Sequence, residues 1–122
     1  MKKFFAMMLL AVGIIFGSQV AEVSKASAAD VYAYTEGTIE YYVTGRRNAS
    51  PFSENFASFV KGVSGGKIVK HLFFVFGKSD GRWFYQIQDQ TGGMASSYIV
   101  EAGPLSNSGK AQAVFDVTKK NF

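Results

Sequence analysis

Along much of this chain apolar side chains fall at every second position. In "DVYAYTEGTIEYYVTG", Tyr32, Tyr34, Ile39, Tyr41 and Val43 alternate with other residues around a glycine. A period of two marks a half-buried strand, and a glycine between two such runs marks a hairpin. With Glu36-Gly37 as a two-residue loop, Tyr34 opposes Ile39 and Tyr32 opposes Tyr41. One side then carries Tyr32, Tyr34, Ile39, Tyr41 and Val43. Glu40 and Tyr42 point the other way, which makes Tyr42 the expected exposed ring. Residues 46–51 form a polar loop.

The stretch "HLFFVFGKSDGRWFYQIQD" reads as a second hairpin. Taking Ser79-Asp80-Gly81 as a three-residue loop with glycine left-handed sets Lys78 opposite Arg82 and His71 opposite Asp89. One face is then Phe73, Val75, Trp83, Tyr85 and Ile87; the other is Leu72, Phe74, Phe76, Phe84, Gln86 and Gln88. The first of the two strands is apolar on both faces, as a covered central strand requires. On this reading the aromatic rings here are mainly core.

Two segments support two readings each. In "FSENFASFVKGVSGG", Phe52, Phe56, Phe59, Val60 and Val63 recur at helical spacing after Ser50-Pro51. Ser64-Gly65-Gly66 looks instead like a hairpin loop leading into a strand over residues 67–77, and that pairing sets Phe56 beside Phe74. Over residues 109–120, Ala111, Ala113, Phe115 and Val117 alternate like a strand. Ala111, Val114, Phe115, Thr118 and Phe122 fit a helix, capped by Ser108 and ending in Lys119-Lys120, whose charges suit the negative end of its dipole. The helix is preferred. A further strand is expected over residues 94–101 and a loop over 103–109. The fold class is therefore α+β: one small, hairpin-rich antiparallel sheet of five or six strands with one C-terminal helix.

The first 29 residues follow another pattern. Lys2 and Lys3 precede an uncharged apolar run of 13 residues, 4–16, and small residues at Ala26, Ala28 and Ala29 suit cleavage. That order is expected of a secretory signal peptide over residues 1–29, with residues 30–122 as a single mature domain. Cleavage after Ala26, Ala28 or Ala29 fits equally. As a helix the run reaches about 20 Å, short of a hydrocarbon core of roughly 30 Å, so a signal peptide is favoured over an uncleaved anchor. The expected location is periplasmic or secreted, with no membrane span after cleavage.

Charge and composition narrow the function classes. The whole chain carries +4, but without Lys2, Lys3, Lys25 and Glu22 the mature part has ten Lys/Arg and eight Asp/Glu, a net +2. These cations are scattered rather than gathered into a stripe, which argues against nucleic acid. The chain has no cysteine, so it is no lipid-anchored lipoprotein and has no disulfides. Of its 19 aromatics, 16 lie in the mature part, enough to build a core by packing alone.

The stretches "DVYAYTEGTIEYYV", "GGKIVKHLFFVFGKSDGRWFY" and "AQAVF" resemble a group of short uncharacterised secreted bacterial proteins. Those begin, after a signal peptide, with a DVYxYT start, a Tyr-rich hairpin, a WxY strand and an alanine-containing terminal helix. The resemblance implies a strand over residues 56–63 and a helix at the C-terminus. It implies no activity and no site residues.

Candidate chemistry is sparse. His71 opposite Asp89 could orient an imidazole, with Ser96 or Ser97 as nucleophile, but no nucleophile elbow accompanies them and a structural pair is the better reading. One His and no Cys do not make a zinc site. Asp80, Asp89 and Glu101 lack a calcium-loop spacing. The Gly-Gly-Lys of "GVSGGKI" lacks the spacing and following Ser/Thr of a phosphate loop. "NAS" at 48–50 is a chance match to a glycosylation acceptor. No catalytic, metal or cofactor residue is assigned. Tyr32, Tyr34, Tyr41, Tyr42 and Tyr98 suit the margin of a core or a contact surface. Tyr42, Arg46, Arg47 and Arg82 are the candidate binding residues. The expectation is a non-enzymatic exported protein whose partner is a protein or a cell-envelope polymer. A wall-glycan module or an inhibitor of a secreted enzyme is the alternative, and a small hydrolase ranks last.

Overall fold

The computed structural model describes residues 30–51 and 53–122. The signal peptide expected over residues 1–29 and its cleavage point lie outside the described residues. Among the described residues, six strands, β1 (Val31–Glu36), β2 (Ile39–Asn48), β3 (Phe56–Ser64), β4 (Lys67–Ser79), β5 (Arg82–Asp89) and β6 (Tyr98–Pro104), precede one α-helix, α1 (Gly109–Asn121). The strands form a single antiparallel sheet in sequence order, each paired with the next. This is the α+β architecture expected from the patterning.

Helix α1 starts where Ser108 accepts a hydrogen bond from the Ala111 amide at 3.2 Å, a side-chain cap that satisfies one of the free N–H groups of the first turn. Lys119 and Lys120 occupy its last turn. Its buried residues Ala111, Val114 and Thr118 lie on the face that helical spacing predicts. That face rests on Tyr41, Val43, Phe56, Val60, Phe74, Phe76, Tyr85 and Ile87 of the sheet. Phe115 joins them, its ring centroid 5.4 Å from Phe56 and 5.3 Å from Phe76. Burying each such side chain contributes about 1.5–3 kcal/mol relative to leaving it in water.

The sheet bends around the helix. Laid flat, β1 and β6 would stand about 24 Å apart at the usual strand spacing. Lys110 Nζ nevertheless lies 3.2 Å from Glu36 of β1 and 3.5 Å from Glu101 of β6. The helix therefore occupies a concave face, and the opposite face, which we call the outer face, is convex. The outer face carries Tyr32, Tyr42, Arg47, Ala57, Phe59, Lys61, Phe73, Val75, Gln86 and Gln88.

Several registers differ from the sequence expectation. In the first hairpin the loop is Gly37-Thr38, and Glu36 opposes Ile39. Tyr34 then opposes Tyr41, their rings stacked at 4.5 Å, and an irregularity between Tyr32 and Tyr34 turns Tyr32 to the outer face beside Tyr42. In the segment that read as either helix or strand, residues 56–63 are strand, within β3. Gly65-Gly66 form a two-residue loop, and Phe56 opposes Phe76, not Phe74. The third loop is Asp80-Gly81 alone. Asp80 (φ 52°) joins Gly81 (φ 75°) in the left-handed region, which a two-residue primed turn demands of both positions. The one-residue difference moves every pair. Phe74 opposes Ile87 and Phe76 opposes Tyr85 on the helix side, and Phe73 opposes Gln88 on the outer side. The strand expected over 94–101 starts only at Tyr98, after a 3-10 turn at Met94–Ser96, and runs to Pro104.

Candidate binding surfaces

Asp89 opposes Leu72, so His71 and Asp89 do not face each other. His71 is exposed and pairs with Lys61, while its backbone is held by Thr91 and Gln90. The carboxylate of Asp89 lies 3.2 Å from Lys70 Nζ and accepts the Thr91 amide at 2.9 Å. Burial acts to raise the Asp89 carboxyl, but the hydrogen bonds from Thr91 and the Lys70 ammonium outweigh it and hold the carboxyl below its ordinary value. Asp89 thus ties β5 to the β4 margin. Ser96 and Ser97 sit in and just after the 3-10 turn.

A second polar cluster joins the edge strands to the helix. Tyr85 Oη donates to Glu101 Oε2, which is the leading reason that the Glu101 carboxyl lies below its ordinary value, with Lys110 adding to the effect. Tyr34 is pushed up, first by burial and then by Tyr41, Glu36 and Glu101 nearby. These groups hold β1, β6 and α1 together. Among the described residues no group of three or more His, Cys, Asp or Glu could hold a metal ion, and no helix is long and apolar enough to cross a membrane.

The four candidate binding residues do not converge. Tyr42 is half-buried on the outer face, and its hydroxyl donates to Glu40 at 3.0 Å. Tyr32 and Tyr98 are the more exposed rings, at 50% and 59%. Arg46 lies on the helix side, its guanidinium 4.5 Å from the centre of the Phe56 ring and its Nε donating to Asn48 at 3.0 Å. Arg47 is half-buried on the outer face opposite Ala57. Arg82 borders a cavity.

That cavity is a groove of about 290 Å³ lined by Arg82, Trp83, Pro104, Leu105, Gln112 and Phe115 among others. The indole of Trp83, half-buried, meets Phe115 edge-on at 5.0 Å, and Lys119 Nζ lies 5.9 Å from the indole centre. The groove offers an aromatic wall, the Gln112 amide, the Ser106 hydroxyl and one cationic residue, Arg82. An aromatic wall with a few polar groups can hold one ring of a ligand, but the groove is open and falls just below the usual size of small-ligand pockets. Trp83, Phe115 and Lys119 were not among the sequence candidates. The available signal was that the only tryptophan adjoins Arg82; the helix residues were out of reach, because they meet Trp83 only once the chain has folded.

Comparison with protein-family models, with curated proteins and with solved structures gives no match.

Proposed function

We propose that this chain is an exported, non-enzymatic binding protein that grips a cell-envelope polymer in the Trp83 groove. The observation that carries the reading is the half-buried indole of Trp83, which lines the groove together with Arg82 and Gln112 and has Lys119 Nζ 5.9 Å from its centre. An aromatic face suits the apolar face of a sugar ring, neighbouring amides suit its hydroxyls, and the cations suit carboxylate or phosphate groups on an anionic polymer. A protein partner is the second reading. It is favoured by edge strand β6, where Tyr98, Ile99 and Val100 are all exposed and an added strand could pair.

Trp83 is the sole tryptophan, so its fluorescence reports on the groove directly. Titration with soluble fragments of wall polymer should shift its emission, and the protein should pellet with insoluble wall polymer. High salt should weaken the pelleting partially by screening Arg82 and Lys119. Trp83→Ala should weaken binding roughly tenfold or more, as removing an aromatic anchor does, while Tyr42→Ala should leave it unchanged. Pelleting that is unaffected by Trp83→Ala refutes the groove. Absence of pelleting at any salt refutes the polymer and leaves the β6 edge as the surface to test.

A further inference from the structure

Arg46 is a cation held in place and left without a counter-charge. Its guanidinium carbon lies 4.5 Å from the centre of the Phe56 ring, and its Nε donates to Asn48 Oδ1 at 3.0 Å. A ring contact and a hydrogen bond together hold the planar group, so little side-chain freedom remains to be lost when something binds it. Among the described residues no carboxylate makes an ion pair with it, whereas Lys61, Lys70, Lys78 and Lys110 each have one. Glu54, in the loop that joins β2 to β3, is taken by Lys78 at 3.4 Å. Burial pushes the guanidinium below its ordinary pKa, with no carboxylate opposing the effect. A half-buried cation in that condition gains more from a bound anion than a fully solvated one does.

Its position joins it to the groove. Steps of 4.5 Å from Arg46 Cζ to the Phe56 centre and 5.9 Å from there to the Trp83 centre bring the guanidinium within about 10 Å of the indole. Lys119 Nζ lies 5.8 Å from Phe115, which touches both Phe56 and Trp83. One aromatic cluster thus meets a cation at Arg46 and another at Lys119. We propose that Arg46 is a further binding residue for the envelope polymer gripped at Trp83, where it takes an anionic substituent, a carboxylate or a phosphate, on a unit next to the one that rests on the indole. This rests on the reading of the Trp83 groove given above. The guanidinium fork matches either anion with paired N–H donors. The Asn48 amide spends its oxygen on Arg46 and keeps its NH2 group as another donor. A neutral polymer would use Trp83 alone, so Arg46 is what makes the surface choose an acidic one.

Calorimetric titration of the full chain tests this with three probes of similar length: galacturonate oligomers, glycerol phosphate oligomers and neutral dextran oligomers. At low salt at least one anionic oligomer should bind about tenfold more tightly than dextran, and which one names the anion. Arg46→Gln should remove that preference and leave dextran binding unchanged, while Arg46→Lys, which keeps the charge but not the fork, should restore only part of it. Asn48→Ala, at an exposed side chain, frees the guanidinium without removing it and should weaken the anionic oligomers severalfold. It keeps the test open should Arg46→Gln disturb the packing on Phe56, which thermal midpoints would show. An undiminished preference in both Arg46→Gln and Asn48→Ala overturns the proposal and leaves the groove standing. Anionic binding that survives Trp83→Ala but not Arg46→Gln overturns the groove and keeps Arg46 as an anion site of its own. No binding of any oligomer overturns both.

Discussion

Replacing Thr118 by valine removes a hydroxyl and leaves the shape of the side chain almost unchanged. Thr118 and Ser58 are both fully buried where α1 meets β3, and their oxygens are 2.7 Å apart. The Thr118 hydroxyl donates its one proton to the Val114 carbonyl, also at 2.7 Å. The Ser58 proton must therefore point at Thr118 Oγ1. This direction makes the two substitutions unequal. Thr118→Val leaves the Ser58 hydroxyl a buried donor with no acceptor, at a cost of about 1–3 kcal/mol. Ser58→Ala removes one hydrogen bond but leaves Thr118 bonded to Val114, at a cost of about 0.5–1.5 kcal/mol. The double variant strands neither group and should be less destabilised than Thr118→Val alone. Urea unfolding of the full chain measures all three. With a slope of about 2 kcal/mol/M, a loss of 2 kcal/mol lowers the midpoint by about 1 M, well outside experimental scatter. If Thr118→Val is no worse than Ser58→Ala, or if the two effects simply add, the assigned proton direction is wrong.

Gly62→Ala should destabilise by about 1–3 kcal/mol, because a Cβ there would lie 2.8 Å from Ile39 Cγ2 and 2.9 Å from both Lys70 Cβ and Tyr41 Cε1. Thermal unfolding should report a lower midpoint, and an unchanged midpoint would show that β2 and β4 yield more easily than packed strands should. Gly81→Ala should cost about 1–2 kcal/mol through its left-handed backbone alone, since nothing lies within 4 Å of the added Cβ; a neutral result in the same assay would contradict the turn. For pH, the folded Asp89 carboxyl sits below its ordinary 3.8, so its stabilisation is complete above that value and fades as pH falls through the lower folded value. Thermal midpoints taken from neutral pH down into the acid range should fall less steeply in Asp89→Asn than in the unaltered protein. An equally steep fall would place the acid sensitivity elsewhere.

Period-two patterning was enough to find β1, β2, β4 and β5, and Ser108 with the spacing of Ala111, Val114 and Thr118 favoured the helix. The patterning could not supply loop length, on which everything opposite depends. Asp80 accepts a left-handed backbone, so the loop closes with two residues rather than three, and that single residue separates His71 from Asp89. The irregularity between Tyr32 and Tyr34 had no signature either, yet it decides which tyrosines meet solvent. Phe56, Phe59, Val60 and Val63 fit a helix and a strand alike, because a strand buried on both faces loses its alternation. Their pairing with the doubly apolar β4 decided the matter. The groove was illegible for a different reason. Arg82 and Trp83 stand on β5, Leu105 follows β6, and Phe115 stands on α1, so no local pattern connects them.

The meeting of α1 with β1 has a consequence for how the molecule is assembled. Neighbour-to-neighbour pairing lets the sheet zip up hairpin by hairpin, each step closing only a short loop and therefore fast. The helix breaks that locality: made from the last residues of the chain, it packs most closely on the first strand. A partly synthesised or partly emerged chain can hold hairpins but cannot seat β1 until Lys110 arrives between Glu36 and Glu101. The final turns of the polypeptide thus act as a latch, and a truncation of about a dozen residues at the C-terminus should undo the N-terminal strand first.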